Sequence, residues 1–360
     1  MSRAIGVISG TSMDGIDVAL LDTDGDRRVH CGPGATIGYD PALRRELLAA
    51  AADAERLTDA ERAALAAAVT RAHVGAVRDF MAARGLTAAA VDVVGLHGQT
   101  ILHQPERRRT IQLGDGAAAA RLLGVAVVDG FRLADVAAGG QGAPLAPLYH
   151  RALFAAESAP LMVLNLGGVG NVTFLDGDTV IAFDTGPASA LLDDLLTRRR
   201  GEAFDRDGAL AAAGTPDAGV LAAFLADPFL ARPPPKSLDR QHFQAHAERV
   251  APLGDADAAA TLAAFTIHSV AASLAHVPRP PARWLVTGGG RHNRHFLDGL
   301  RRLVGVPVDP IETAGFDGDA LEAHAFAYLA VRAMAGRPLS LPSTTGVPRP
   351  MPGGRVHPAP

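Results

Sequence analysis

The stretch Ile5-Gly6-Val7-Ile8-Ser9-Gly10-Thr11-Ser12-Met13-Asp14-Gly15-Ile16-Asp17-Val18-Ala19-Leu20-Leu21 decides how the rest of the chain is read. Two apolar runs rich in β-branched residues flank a turn of small, hydroxyl and carboxylate residues, the pattern of a tight hairpin opening a sheet. Gly10 and Gly15 allow positive φ and close backbone approach, and Thr11 and Ser12 add hydroxyl donors, so the turn suits a cradle for phosphate oxygens. Asp14 and Asp17 fit such a cradle only where a divalent cation lies between the negative groups, as in magnesium-bound nucleotide sites. An ordinary hairpin with Asx-type turn residues carries the same letters. Two later stretches weigh against that plainer reading.

A chain of 360 residues with 48% hydrophobic content is too long for one ordinary core, so two domains are expected. The formal charge of −4, with both signs interspersed, argues against nucleic acid or an anionic membrane as main partner. Small molecules are the expected partners. The lone Cys31 excludes a disulfide framework and a cysteine-based zinc site, and reads as an inert thiol near the surface. Only a few apolar residues follow Arg3 before Ser9 and Gly10, too short for a signal-peptide core, and no run approaches a membrane span. A cytoplasmic protein is expected.

After the hairpin, residues 41–51 read as a helix, and Thr58-Asp59-Ala60-Glu61 as the capping box of a long one ending at Gly85, with His73 on its surface. Residues 91–96 form a buried strand running into His97-Gly98-Gln99-Thr100, placed at a strand's C-terminal end, where α/β sheets bind ligands. Asp115 caps a short helix that stops at Gly124. The long segment from Asp129 through Arg132 and Asp135 to Gly139-Gly140-Gln141-Gly142-Ala143-Pro144 reads as a site loop more than a linker, because it sets charges beside four glycines.

At 161–175 the opening plan returns: an apolar strand enters Gly167-Gly168-Val169-Gly170-Asn171 and leaves as a second strand, an architectural duplication. The strand 180–183 delivers Asp184 onto Thr185-Gly186-Pro187, with Pro187 in the first turn of a helix through Leu196, so Asp184 is expected between strand end and helix start. Residues 228–243, holding three consecutive prolines and Lys236-Ser237-Leu238-Asp239-Arg240, read as irregular surface, and 257–275 as an amphipathic helix. Strand 284–287 leads through Gly288-Gly289-Gly290-Arg291-His292-Asn293 into a helix, a common seat for a nucleotide. Residues 319–335 are the last helix, carrying Glu322 and His324.

Three such glycine turns suit an actin-like or sugar-kinase fold. The ordered set of Gly10 to Asp17, His97-Gly98-Gln99-Thr100, Gly139 to Pro144, Asn165-Leu166-Gly167-Gly168, Asp184-Thr185-Gly186-Pro187 and Gly288-Gly289-Gly290 resembles the 1,6-anhydro-N-acetylmuramic acid kinases over residues 1–346. The resemblance implies a two-domain α/β fold of this actin-like class, each domain a mixed sheet with flanking helices, with ATP in the interdomain cleft. The expected boundaries are 1–128, completed by 319–346, then 129–318, with 347–360 a mobile proline-rich tail. The implied activity uses ATP and water to turn 1,6-anhydro-N-acetylmuramate into N-acetylmuramate 6-phosphate in bacterial cell-wall recycling. On that resemblance Asp184 is the catalytic base. Gly10, Thr11, Ser12, Met13, Asp14, Gly15, Ile16, Asp17, Gly167, Gly168, Asn171, Gly288, Gly289, Gly290 and Asn293 bind ATP. His97, Gln99, Arg132, Asp135 and Glu322 bind the sugar. ATP and Mg2+ are the expected cofactors, no side chain is assigned as a metal ligand, and a homodimer is allowed.

The chain departs from the family's usual pattern at Ala188-Ser189, at Leu238-Asp239-Arg240-Gln241 and at Leu133, all on the expected sugar side. Two alternatives therefore stay open: a kinase for another anhydro-sugar such as levoglucosan, and a non-enzymatic nucleotide switch of the actin-like class.

Overall fold

A computed structural model describes residues 1–10, 13–238 and 242–360. Thr11 and Ser12 of the opening turn, and Asp239, Arg240 and Gln241, lie outside the described residues. The strands are β1 (Ser2–Ser9), β2 (Ile16–Thr23), β3 (Val29–Ile37), β4 (Val93–Gln104), β5 (Arg109–Leu113) and β6 (Ala126–Asp129). They continue as β7 (Leu161–Leu166), β8 (Val169–Asp176), β9 (Thr179–Pro187), β10 (Arg283–Thr287), β11 (Val308–Pro310) and β12 (Arg355–His357). The chain divides into two compact units, Met1–Ala155 with Asp319–Pro360, and Ala156–Gly318.

The first unit holds a sheet ordered β12-β6-β4-β1-β2-β3, with β5 paired to β4. β1 runs antiparallel to β2 and parallel to β4, so the opening hairpin lies in the middle of the sheet. Ile5, Val7, Val18, Val94 and Val127 carry the apolar core. The Asp59–Ala82 helix covers it, started by the capping box in which Thr58 Oγ1 accepts from Glu61 N–H and the Glu61 carboxylate accepts from Thr58 N–H. The Leu321–Met334 helix returns to this unit and lies directly on the strand backbones: a Cβ on Gly6 or Gly95 would meet the Ala323 or Phe326 carbonyl oxygen.

The second unit holds a sheet ordered β11-β10-β7-β8-β9. Its core gathers Leu164, Phe174, Phe183, Phe265, Trp284 and Leu300. The Asp255–Ala272 helix runs through that core. With the turn after it, this helix makes a 22-residue stretch whose 18-residue window of highest hydropathy has a mean of 1.5, long and apolar enough for a membrane span by composition, yet 72% of that window is buried within the protein. It is a core helix, and the expected amphipathic stripe is absent because it is covered on nearly every side.

Several expectations are corrected here. The boundary falls at Ala155/Ala156 and not at 128/129, because β6, the Leu133–Ala137 helix and the Pro147–Leu153 helix pack with the first unit. The proline-rich tail is not loose: β12 pairs antiparallel with β6, and Arg355 and His357 both bond the Asp129 carboxylate. His73 is buried at 1% exposure and bonds Tyr39, since the long helix turns that face inward. The segment around the three prolines is no surface loop, because Phe229, Leu230, Lys236 and Phe243 are all buried in the second unit.

Candidate active site

In the opening turn, Met13 N–H donates to Gly10 O at 3.1 Å. Met13 itself is buried and holds φ at +55°, a left-handed conformation that a non-glycine residue rarely keeps without a reason. Arg44 braces the turn from outside, its Nε donating to Met13 O at 2.9 Å and its Nη2 to Asp14 Oδ1 at 3.1 Å. Gly15 sits where a Cβ would come 2.5 Å from Thr36 Cγ2. Asp17 Oδ1 accepts from Thr36 Oγ1 at 2.6 Å, so this carboxylate is held against β3. Ile16 is a core residue of β2. Gln99 supports the same turn from beneath: its Nε2 donates to Gly10 O at 3.1 Å and its Oε1 accepts from Tyr39 OH.

His97 and Gln99 lie inside β4, not at its end. The strand runs on to Gln104 because β5 pairs with it from Gln99 onward, while at His97-Gly98, with Gly98 at φ +76°, β4 bulges against β1, whose Ser9 still pairs Gln99. That bulge re-aims His97, as bulges beside functional sites do. His97 Nδ1 donates to Gly98 O at 2.9 Å, and Nε2 accepts from Arg132 Nε at 3.0 Å, which sets one neutral tautomer. Burial first, and the Arg132 charge second, push its pKa well below the ordinary histidine value. Arg132 Nη1 donates to Gly142 O at 2.6 Å, and Gly142 N–H donates to Asp135 Oδ1 at 2.6 Å. The buried Asp135 also accepts from the hydroxyls of Ser340 and Thr345. His97, Arg132, Gly142 and Asp135 therefore form one linked set in the first unit. A cavity of ≈ 140 Å³ opens beside His97, lined also by Gln112, Asp129 and Leu133. Glu322 is exposed in the first turn of the Leu321–Met334 helix.

In the second unit the chain pairs Thr287 with Asn165, Asn165 with Asn171, and Asn171 with Asp184, a polar row across β10, β7, β8 and β9. Asp184 lies inside β9 rather than between a strand's end and a helix's start, which corrects its expected place. β9 continues through Thr185, Gly186 and Pro187, and the next helix begins at Ala190. Thr185 is the extra residue of a bulge opposite Gly170 and Asn171, beside which Asp184 lies at 8% exposure. Its Oδ2 accepts from Leu238 N–H at 2.7 Å, and its own N–H donates to Lys236 O at 3.0 Å. The departure at Ala188-Ser189 is absorbed locally: Ala188 N–H bonds Gly168 O, while Ser189 bonds Gly167 O through both N–H and Oγ.

Gly288 takes φ +74°, and a Cβ there would come 2.3 Å from Asn165 Oδ1, so the third glycine turn is pressed against the second. Gly290 lies equally close to Leu166, whereas a Cβ on Gly289 meets nothing within 4 Å. Asn293 caps the Arg294–Val304 helix, its Oδ1 accepting from Phe296 N–H at 3.1 Å. Close packing against Asn165 and Leu166 therefore requires glycine at 288 and 290. Among the described residues no group of three or more His, Cys, Asp or Glu side chains is arranged to hold a metal ion.

The sequence profile of anhydro-N-acetylmuramic acid kinase matches residues 2–359. The chain is 53% identical to the anhydro-N-acetylmuramic acid kinase of Rhodospirillum rubrum over 358 residues, covering 99% of this chain and 94% of that protein. It is 51% identical to the enzyme of the same name from Paramagnetospirillum magneticum, covering 98% and 99%. The chain belongs to the anhydro-N-acetylmuramic acid kinase family. Among solved structures, component A of (R)-2-hydroxyglutaryl-CoA dehydratase from Acidaminococcus fermentans superposes with a TM-score of 0.50 at 10% identity, over 92% of this chain and 99% of that one, which speaks to the fold alone. The two mixed sheets with flanking helices share that protein's fold. Reading the sequence missed what surrounds the candidate site residues: Arg44 and Thr36 around the first turn, Tyr39 under Gln99, and Lys236 beside Asp184. Only Lys236 carried a signal, as the sole lysine in the chain.

Proposed function

We propose that this chain opens 1,6-anhydro-N-acetylmuramic acid with water and phosphorylates O6 at the expense of ATP, giving N-acetylmuramic acid 6-phosphate for bacterial cell-wall recycling in the cytoplasm. The observation that carries the reading is family membership over nearly the whole chain, with a buried carboxylate standing at the family's base position, Asp184. In the proposed reaction Asp184 takes a proton from water as its oxygen attacks C1. The C1–O6 bond breaks, O6 takes the γ-phosphoryl group, and ADP leaves. The glycine turns at Gly10, Gly15, Gly167, Gly168 and Gly288 to Gly290, with Met13, Asp14, Asp17 and Asn171, hold the nucleotide. Gln99 keeps the first of these turns in shape. His97, Arg132, Asp135 and Glu322 orient the sugar, His97 as a neutral imidazole.

Mg2+ belongs to the same proposal. The donor set fits a cation that arrives on phosphate oxygens and water rather than one caged by protein, with Asp14 in the opening turn and Asp17 at the start of β2. When bound it neutralises charge on the phosphates. The levoglucosan-kinase and nucleotide-switch alternatives gain nothing from the family membership. Asp184→Asn keeps shape and hydrogen-bonding reach while removing the base. A coupled ADP assay on 1,6-anhydro-N-acetylmuramic acid should show kcat lower by at least ~10²-fold with ATP affinity kept. Sugar phosphorylation by the variant at near-normal rates would sink this assignment.

A further inference from the structure

Of the 34 lysine and arginine residues in this chain, all but Lys236 are arginine. Composition that drifts so fully toward arginine leaves a lysine only where a guanidinium cannot serve. Lys236 is 2% exposed, and its Nζ donates to the carbonyl oxygens of Phe229 and Leu230, each at 3.0 Å. The ammonium also lies 4.8 Å from the Phe229 ring centroid and 5.7 Å from that of Phe183, the residue before Asp184. A compact cation with three donors fits this pocket of two carbonyls and two rings, where a planar fork would not.

The same short segment grips Asp184 twice, through Lys236 O on its N–H and Leu238 N–H on its Oδ2. Lys236 is thus tied at one end to the Pro228–Ala231 helix and at the other to β9. We propose that Lys236 is the positioning residue of the base: it fixes the 236–238 segment that aims the Asp184 carboxylate, and its ammonium favours the ionised form of that carboxylate. This rests on Asp184 being the base. Burial, with Arg232 nearby, lowers Lys236 to about 8 against the opposing pull of Asp184. The other titratable groups around the pair, among the described residues, are Asp227, His242 and His246 beside Phe229, and His276, whose Nε2 bonds Leu230 O.

A sole lysine makes the test direct. Protein labelled with ¹³Cε,¹⁵Nζ-lysine gives one side-chain signal, expected to titrate near 8. In Asp184→Asn, loss of the neighbouring anion should move that titration down by about one unit. In Lys236→Met, kcat should fall about tenfold and its acid limb should move up by about one unit, with KM for ATP unchanged, and Lys236→Arg, whose planar fork the pocket does not fit, should not restore kcat. A lysine titration that Asp184→Asn does not move, or a Lys236→Met profile that superimposes on the wild type after scaling, overturns the proposal. Should Lys236→Met fail to fold, the lysine signal in wild type and Asp184→Asn still decides. Failure of the base assignment itself is seen separately, as full activity in Asp184→Asn.

Discussion

Asp14 shows how far single residues could be read. Its position in a glycine turn suggested phosphate chemistry, and the structure adds that the side chain, largely exposed, is paired with Arg44 rather than folded back on the turn. Asp14→Ala should therefore weaken MgATP binding by about tenfold, ~1.4 kcal/mol, without unfolding the protein. Calorimetry that finds unchanged affinity would move the phosphates away from this turn. Gln99 was legible as functional but not in what it touches. Its amide closes a chain from His73 through Tyr39 to Gly10, residues far apart in sequence, and no local pattern announces such a chain. Asp184 was legible as a carboxylate leaving a strand. Its partners, Leu238 N–H and the Lys236 segment, lie more than fifty residues on and depend on how the three prolines fold back.

Among the elements, the strand–turn–strand units and helix starts were the legible part, because capping and turn chemistry are local. Thr58 and Glu61 cap the Asp59–Ala82 helix, and Asp115 caps the Gly116–Leu123 helix, as their spacing suggests. The ends of β4 and β9 were read too early. Polar letters at His97 and Asp184 look like strand ends, yet the hydrogen-bond ladder is indifferent to side-chain polarity and continues wherever a neighbouring strand offers partners. The seat of the Leu321–Met334 helix was hidden for a related reason. Gly6 and Gly95 matter there through the close approach of its backbone, which their own φ does not reveal. Gly95→Ala would place a Cβ 2.2 Å from Phe326 O and should cost about 1–3 kcal/mol of stability, readable as a lower urea midpoint with unchanged m-value. An unchanged midpoint would mean that the helix yields at no cost.

For the whole molecule, acid sensitivity is expected to be lopsided. His73, His97 and His150 are buried in the first unit, where burial lowers His73 to about 3 and His150 to about 4 and pushes His97 well down. A histidine held neutral when folded takes up its proton only on unfolding. Each therefore contributes stability that is intact above about 6.5 and is lost as pH falls toward the folded value, at up to about 1.4 kcal/mol per pH unit. Hydrogen exchange between pH 6.5 and 4 should show the first unit opening ahead of the second, and His150→Leu should make the slope shallower by about one proton. Equal loss in both units would contradict this. The sequence alone determined the glycine turns, which depend on residues adjacent in the chain, and its six ordered motifs supplied the resemblance that implied the fold class and the base candidate. Only tertiary structure decided that the unit boundary lies past the Pro147–Leu153 helix, that the last residues form β12 on β6, and that the one lysine is buried beside Asp184. Those outcomes follow from long-range burial and strand pairing, whose energies are shared across residues that no short window of sequence contains.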